Sequence, residues 1–184
     1  MKSILELKTE KILLRDIEGS DIDTVFRGLS NPDVIKHYGV SFDSLEETKE
    51  QMKWFSDTKQ KWFAICSADN NVFYGAGGLN DISKKHKKAE IGLWLLPEYW
   101  GKGYATGGAK ACLDYGKDTL KLKKVISTAP QINKPSINVM KKIGMKKKLE
   151  FIHPKVKDNE RLRNCVCYEI DFQKNPNFDK SYKI

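Results

Sequence analysis

One stretch, residues 89–106, limits the possible folds more than any other part of the chain. Ala89-Glu90-Ile91-Gly92-Leu93-Trp94-Leu95-Leu96 is almost continuously apolar, as expected for a central strand covered on both faces. Trp100-Gly101-Lys102-Gly103-Tyr104-Ala105-Thr106 follows at once, and a helical pattern continues to about Lys117. Ala105, Ala109, Cys112, Leu113 and Gly116 form a stripe of mostly small residues at helical spacing, so the helix can lie close to a sheet. A strand, a Gly-x-Gly loop and a helix start in this order make an anion site. The first N–H groups of the helix have no intrahelical partner, and the helix dipole adds positive potential there. Gly101 and Gly103 allow unusual backbone angles and a close approach that a side chain would block. Two nucleotide motifs are absent. A P-loop needs Gly-Lys-Ser or Gly-Lys-Thr after a four-residue spacer, and the chain has none. A dinucleotide fingerprint needs a third glycine where Thr106 stands, and a ribose-binding carboxylate that Val125–Ala129 lacks.

The flanking segments predict a layered α/β frame. The first 16 residues read as extended, and Ser20-Asp21-Ile22-Asp23 opens a helix with carboxylates in its first turn. Ser44-Leu45-Glu46-Glu47 fits a capping box leading a helix to Trp54 or Phe55, while Pro32 and Gly39 punctuate the segment between. Trp62–Cys66 and a strand starting at Val72 make a hairpin across the turn Asp69-Asn70-Asn71. Val125–Ala129 is a short strand. Asn133 caps a helix carrying Ile137, Met140 and Ile143 on one face, and Gly144 stops it. Strands near Lys146–Ile152 and Leu162–Phe172 flank a turn at Lys157-Asp158-Asn159. Helices, a hairpin, a β-α-β unit, a helix and a hairpin give an α/β domain around a mostly antiparallel sheet.

Composition excludes several functions. The chain has 184 residues, which suits one domain. No apolar run reaches the roughly 20 residues needed to span a bilayer, and Met1–Glu6 lacks the apolar region of a signal peptide, so a cytoplasmic protein is expected. Cys66, Cys112, Cys165 and Cys167 form no Cys-x-x-Cys pair and read as free thiols with no metal site. The net charge of +9 would attract polyanions. The Lys84–Lys88 and Lys146–Lys148 clusters read mainly as solubilising surface, and specific nucleic-acid binding is not expected. Trp54, Trp62 and Trp94 read as core, and His37 and His153 as loop residues.

The run from Ala89 to Thr106 also resembles the GNAT superfamily of N-acetyltransferases. Thr9–Arg15, Asn133-Lys134-Pro135-Ser136 and Met140–Met145 agree with it in order, so the likeness spans about residues 5–172, with 173–184 as a C-terminal tail. Within the superfamily the chain looks like the branch that includes the ribosomal-protein N-terminal acetyltransferases RimJ and RimL. The resemblance implies one acetyltransferase domain over 1–184. Its twisted, mostly antiparallel mixed sheet carries helices on both faces, and two central strands splay apart. It implies acetyl-CoA as cosubstrate, with the pyrophosphate on Trp100, Gly101, Lys102, Gly103, Tyr104, Ala105 and Thr106. The backbone of Leu95 and Leu96 would pair with the pantetheine arm, one N–H polarising the thioester carbonyl. Asn133 matches a position that contacts that arm.

The implied reaction is direct attack by an amine in a ternary complex, without metal or covalent acyl-enzyme. Glu90, sharing a strand face with Gly92 and Trp94, is the candidate base, with Glu98 second; a structural carboxylate paired to a lysine is the plain alternative for Glu90. Met140 stands where many relatives carry an acidic tyrosine. The branch offers the hydroxyl at Ser136 in its place, the plain alternative being a helix-start hydroxyl bonded to backbone. The acceptor would be a protein N-terminal α-amine or a small amine such as a polyamine, amino acid or antibiotic, and the protein a monomer or homodimer. The rival of another class is a non-catalytic module that binds RNA or the ribosome.

Overall fold

The computed structural model describes residues 7–37, 42–154, 156 and 159–175. Eight strands form one sheet: β1 (Leu7–Lys8), β2 (Ile12–Asp16), β3 (Lys61–Ser67), β4 (Phe73–Ser83), β5 (Lys88–Leu95), β6 (Lys124–Pro130), β7 (Lys146–Ile152) and β8 (Asn164–Asp171). Their spatial order is β1-β2-β3-β4-β5-β6-β8-β7. Every neighbouring pair is antiparallel except β5 and β6, which are joined through α4 (Tyr104–Asp118). A parallel connection needs such a crossover. The remaining helices are α1 (Ile22–Leu29), α2 (Pro32–Ile35), α3 (Leu45–Phe55), α5 (Lys134–Lys142) and α6 (Glu160–Arg163).

Side-chain alternation along β5 explains its continuous apolarity. Ile91 and Leu95 join a core with Ala109, Cys112 and Leu113 of α4 and Ile137 and Met140 of α5. Trp94 points the other way, into a second core with Val25 and Leu29 of α1, Val34 of α2 and Phe55 of α3. Helices therefore cover both faces of the sheet. α1 lies very close to β5: a Cβ built on Gly28 would sit 2.1 Å from Cζ3 of Trp94. Gly28→Ala is therefore expected to overpack this layer and destabilise the fold by about 1–3 kcal/mol. Urea unfolding should show a lower midpoint with an unchanged slope.

Local chemistry sets the helix starts. Arg15 at the end of β2 makes a bidentate pair with Asp21, both contacts 2.8 Å, and the Glu18 N–H donates to the same carboxylate. A 3-10 turn, Gly19–Asp21, thus precedes α1. The Ser44 hydroxyl accepts from the Glu47 N–H at 3.3 Å, but the Glu47 carboxylate reaches back to the Asp43 N–H. Only half of the expected capping box forms. Asn133 caps α5 and Gly144 stops it at φ 84°. The sequence reading did not anticipate α2 or α6. Of the expected turn at Lys157-Asp158-Asn159, Lys157 and Asp158 lie outside the described residues, and Asn159 caps α6.

All four thiols are free and buried, and burial pushes Cys66 up to about 11 and Cys112 up to about 12. Trp62 and Trp94 are core as expected, whereas Trp54 is 37% exposed and packs with tilted rings on Phe55 and Trp62. Among the described residues, no helix is long and apolar enough to cross a membrane, and no cluster of His, Cys, Asp and Glu is arranged to hold a metal ion.

Candidate active site

β5 and β6 pair only through Lys88↔Lys124, Ala89↔Val125 and Glu90↔Ile126. From there β6 follows β8 to Pro130 while β5 stays on β4, so the two central strands part. At the point of parting two side chains of β6 reach across: Ser127 Oγ donates to the Ile91 carbonyl at 3.1 Å, and Thr128 Oγ1 donates to Glu90 Oε1 at 2.6 Å. Beyond them the wedge widens into a cavity of about 650 Å³.

The glycine loop closes one end. Gly101 and Gly103 have φ of +73° and +86°, and a Cβ on either would meet nothing within 4 Å. The glycines therefore answer to backbone conformation and to open space in front of the loop, not to crowding by the protein. The first intrahelical bond of α4 runs from Gly107 N to Gly103 O, so the N–H groups of Tyr104, Ala105 and Thr106 precede the helical ladder. No acidic residue stands in that first turn. All three residues line the cavity with Gly101 and Gly103. A stack on Tyr74 holds Tyr104 in place, with ring centroids 4.2 Å apart and planes at 9°. Burial, helped by a hydrogen bond with Tyr104, pushes the Tyr74 hydroxyl up to about 12. The loop thus fits a phosphate-bearing cosubstrate by donors, conformation and space.

Trp100 lines the same end, its Nε1 donating to the Leu95 carbonyl at 2.8 Å. Antiparallel pairing alternates the two edges of a strand. The Leu96 N–H donates to Tyr74 at 2.9 Å, so the peptide edge of Leu95 faces the wedge. Leu96 itself does not offer the expected edge: its N–H serves β4 and its carbonyl accepts from Tyr99. Lys102 is also absent from the lining; its ammonium lies 5.6 Å from the centre of the Tyr99 ring. Register thus turns the Leu96 peptide toward β4, while the Lys102 side chain packs on Tyr99.

Glu90, Asn133 and Ser136 all line the cavity. Asn133 Oδ1 accepts from the Ser136 N–H at 3.2 Å, which leaves its amide Nδ2 as donor and sets Ser136 in the first turn of α5. Met140 lies below them, 3% exposed. The other carboxylate considered, Glu98, pairs with Arg27 at 2.9 Å on the surface and is not among the lining residues. Sequence reasoning missed several lining residues: His37, Asn80, Trp94, Thr128 and His153. His37 and His153 lie outside the regular elements, as the sequence suggests, yet line the cavity, and Trp94 is core and lining at once. Burial, followed by the charge of Lys36, lowers the His37 imidazole below its ordinary range.

Comparison with known proteins gives consistent matches. A family model described as an acetyltransferase (GNAT) domain matches residues 11–146. The N-acetyltransferase YnaD of Bacillus subtilis strain 168 is 30% identical over 156 residues, covering 85% of this chain and 91% of that protein. The spermidine N(1)-acetyltransferase of Escherichia coli K12 is 28% identical over 145 residues, covering 77% and 76%. Among solved structures, an acetyltransferase of the GNAT family from Bacillus anthracis superposes with a TM-score of 0.79 at 28% identity, over 92% of this chain and 99% of its own.

Proposed function

The chain belongs to the GNAT acetyltransferase family, and on that premise we propose that the wedge between β5 and β6 moves an acetyl group from acetyl-CoA to a primary amine. One observation carries this reading. A single cavity joins the glycine loop at the start of α4 to the Glu90 carboxylate, through the gap between the two strands. We assign the described residues to one acetyltransferase domain.

Bound acetyl-CoA supplies a thioester-activated acetyl group. Gly101, Gly103 and the N–H groups of Tyr104–Thr106 would hold its pyrophosphate, and the Leu95 edge and Asn133 its pantetheine arm. Only a neutral amine is nucleophilic, so a proton must leave the acceptor. Glu90 takes it directly or through water; Thr128 occupies Oε1 and so leaves Oε2 for that proton. Ser136 gives a proton to the departing sulfur, the role Met140 cannot fill. Ser136→Ala is expected to lower kcat about tenfold or more, which can fall short of the usual ~10²–10⁴-fold for a general acid because a thiol is a fair leaving group. Calorimetry should find its acetyl-CoA affinity near that of the unaltered protein.

The acceptor class has two readings. The RimJ/RimL-like motif pattern supports a protein N-terminal α-amine. The likeness to spermidine N(1)-acetyltransferase supports a small amine. Both rest on the same transfer, which a thiol-release assay tests across peptides and small amines. Affinity for acetyl-CoA should be micromolar, about −8 kcal/mol. The proposal fails if CoA does not bind and no amine releases thiol.

A further inference from the structure

Two buried polar atoms among the described residues have no hydrogen-bond partner: Nδ1 of His37 and Nε1 of Trp94. Both residues line the wedge cavity. Trp94 is 3% exposed, and its Cζ3–Cη2 edge is pressed toward Gly28 of α1. Because Nε1 lies across the indole from that edge, the N–H is turned away from α1. His37 follows α2, whose Val34 packs in the same core as Trp94. The two atoms thus belong to the α1–α2 side of the sheet, the side that Glu90 shares by its two-residue spacing from Gly92 and Trp94.

Buried donors and acceptors are nearly always paired, and an unpaired one costs about 1–3 kcal/mol. An indole N–H only donates, so what satisfies it must bring an acceptor atom. Charge points the same way. Among the described residues, the formally charged side chains of the lining are two carboxylates, Asp33 and Glu90, and two ammoniums, Lys36 and Lys142. Asp33 moreover has Lys36 at 3.6 Å. The described lining therefore has no surplus of negative charge to gather a polycation. His37, held toward its neutral form, adds a site that either donates or accepts.

From this we infer that the amine acceptor carries an oxygen close to its nitrogen, as an α-amino acyl group or an amino alcohol does, and that Trp94 Nε1 and His37 Nδ1 bind that oxygen-bearing part. Trp94 and His37 are specificity residues on this reading, which rests on the acetyl transfer proposed above. Polyalkylamines offer only donors when protonated and leave the indole unsatisfied. A site built to hydrogen-bond a substrate group discriminates strongly against analogues lacking it.

The test is a comparison of kcat/KM for matched amines, with acetyl-CoA saturating. The set pairs an alanine amide and a short peptide with the alkylamine of equal size, and adds spermidine. The oxygen-bearing amines are expected to exceed the alkylamine and spermidine by tenfold or more. Trp94→Phe should bring that ratio down toward one. A purely structural role for the ring would lower both rates together and leave the ratio in place. Should Trp94→Phe fail to fold, His37→Leu, outside the regular elements, reads the same ratio and is expected to lower it several-fold. Spermidine or the alkylamine as the preferred acceptor overturns the inference but leaves acetyl transfer standing. So does a ratio that survives both substitutions. Binding of CoA without turnover of any amine overturns both.

Discussion

Gly103→Asp is expected to weaken acetyl-CoA binding about 100-fold without unfolding the protein. The residue stands at φ +86°, immediately before α4, with open space in front of it. A carboxylate there would oppose a pyrophosphate at close range. Two unit charges 4 Å apart interact by about 4 kcal/mol at an effective dielectric of 20, and exposure of the loop reduces this to roughly 2–3 kcal/mol, which corresponds to about 30- to 150-fold. Blocking the approach adds to the loss. Gly103→Ala separates the causes, since it keeps the backbone strain and lacks the charge, and its effect should be clearly smaller. Calorimetry with CoA gives the affinities, and circular dichroism shows that α4 persists. Equal affinity in the aspartate variant would take the pyrophosphate away from this loop.

Glu90→Gln is expected to reduce kcat about 100- to 1,000-fold near neutral pH, within the usual range for a general base. Glutamine can still accept from Thr128, so the 2.6 Å contact and the strand pairing should survive while the proton acceptor is lost. Part of the rate should return at high pH, where acceptor amines are already deprotonated in solution. The measurement is kcat against pH for both proteins with one amine. A variant that matches the native profile throughout would make Glu90 a structural bridge between β5 and β6. Bulk water would then be the proton acceptor.

Much of this arrangement is legible before any coordinates. β5 and α4 announce themselves by an unbroken apolar run and a stripe of small residues, because both record burial along a regular period. β7 likewise lies where the sequence reading puts it, at Lys146–Ile152. The four-residue helices α2 and α6 do not show, since so short a segment lacks a period and depends on caps from Asn31 and Asn159. Of the site, the glycine loop is readable because helix-end chemistry is local. Thr128 is not, because its bond to Glu90 joins residues 38 apart through a parallel pairing. The peptide of Leu96 is hard to read for the opposite reason: it sits inside a recognisable motif, but which edge of the strand it serves depends on register. Trp94 is both core and lining, which composition and spacing do not separate.

The short seam between β5 and β6 also makes the sheet mechanically uneven. β4 with β5, and β6 with β8, are each held by seven registered pairs, against three across the seam. The sheet therefore behaves as two panels hemmed together at one end, with α4 as the strap that crosses between them. Elastic deformation concentrates where a structure is least stitched, so slow opening of the panels should run along this line rather than through either of them. On the proposed reading, an extended ligand lying along the Leu95 edge would act as a surrogate strand, adding pairing that the chain itself does not provide. Binding would then stiffen the molecule as well as fill it, and the free energy of closing the hem would become part of the apparent affinity of whatever enters the wedge.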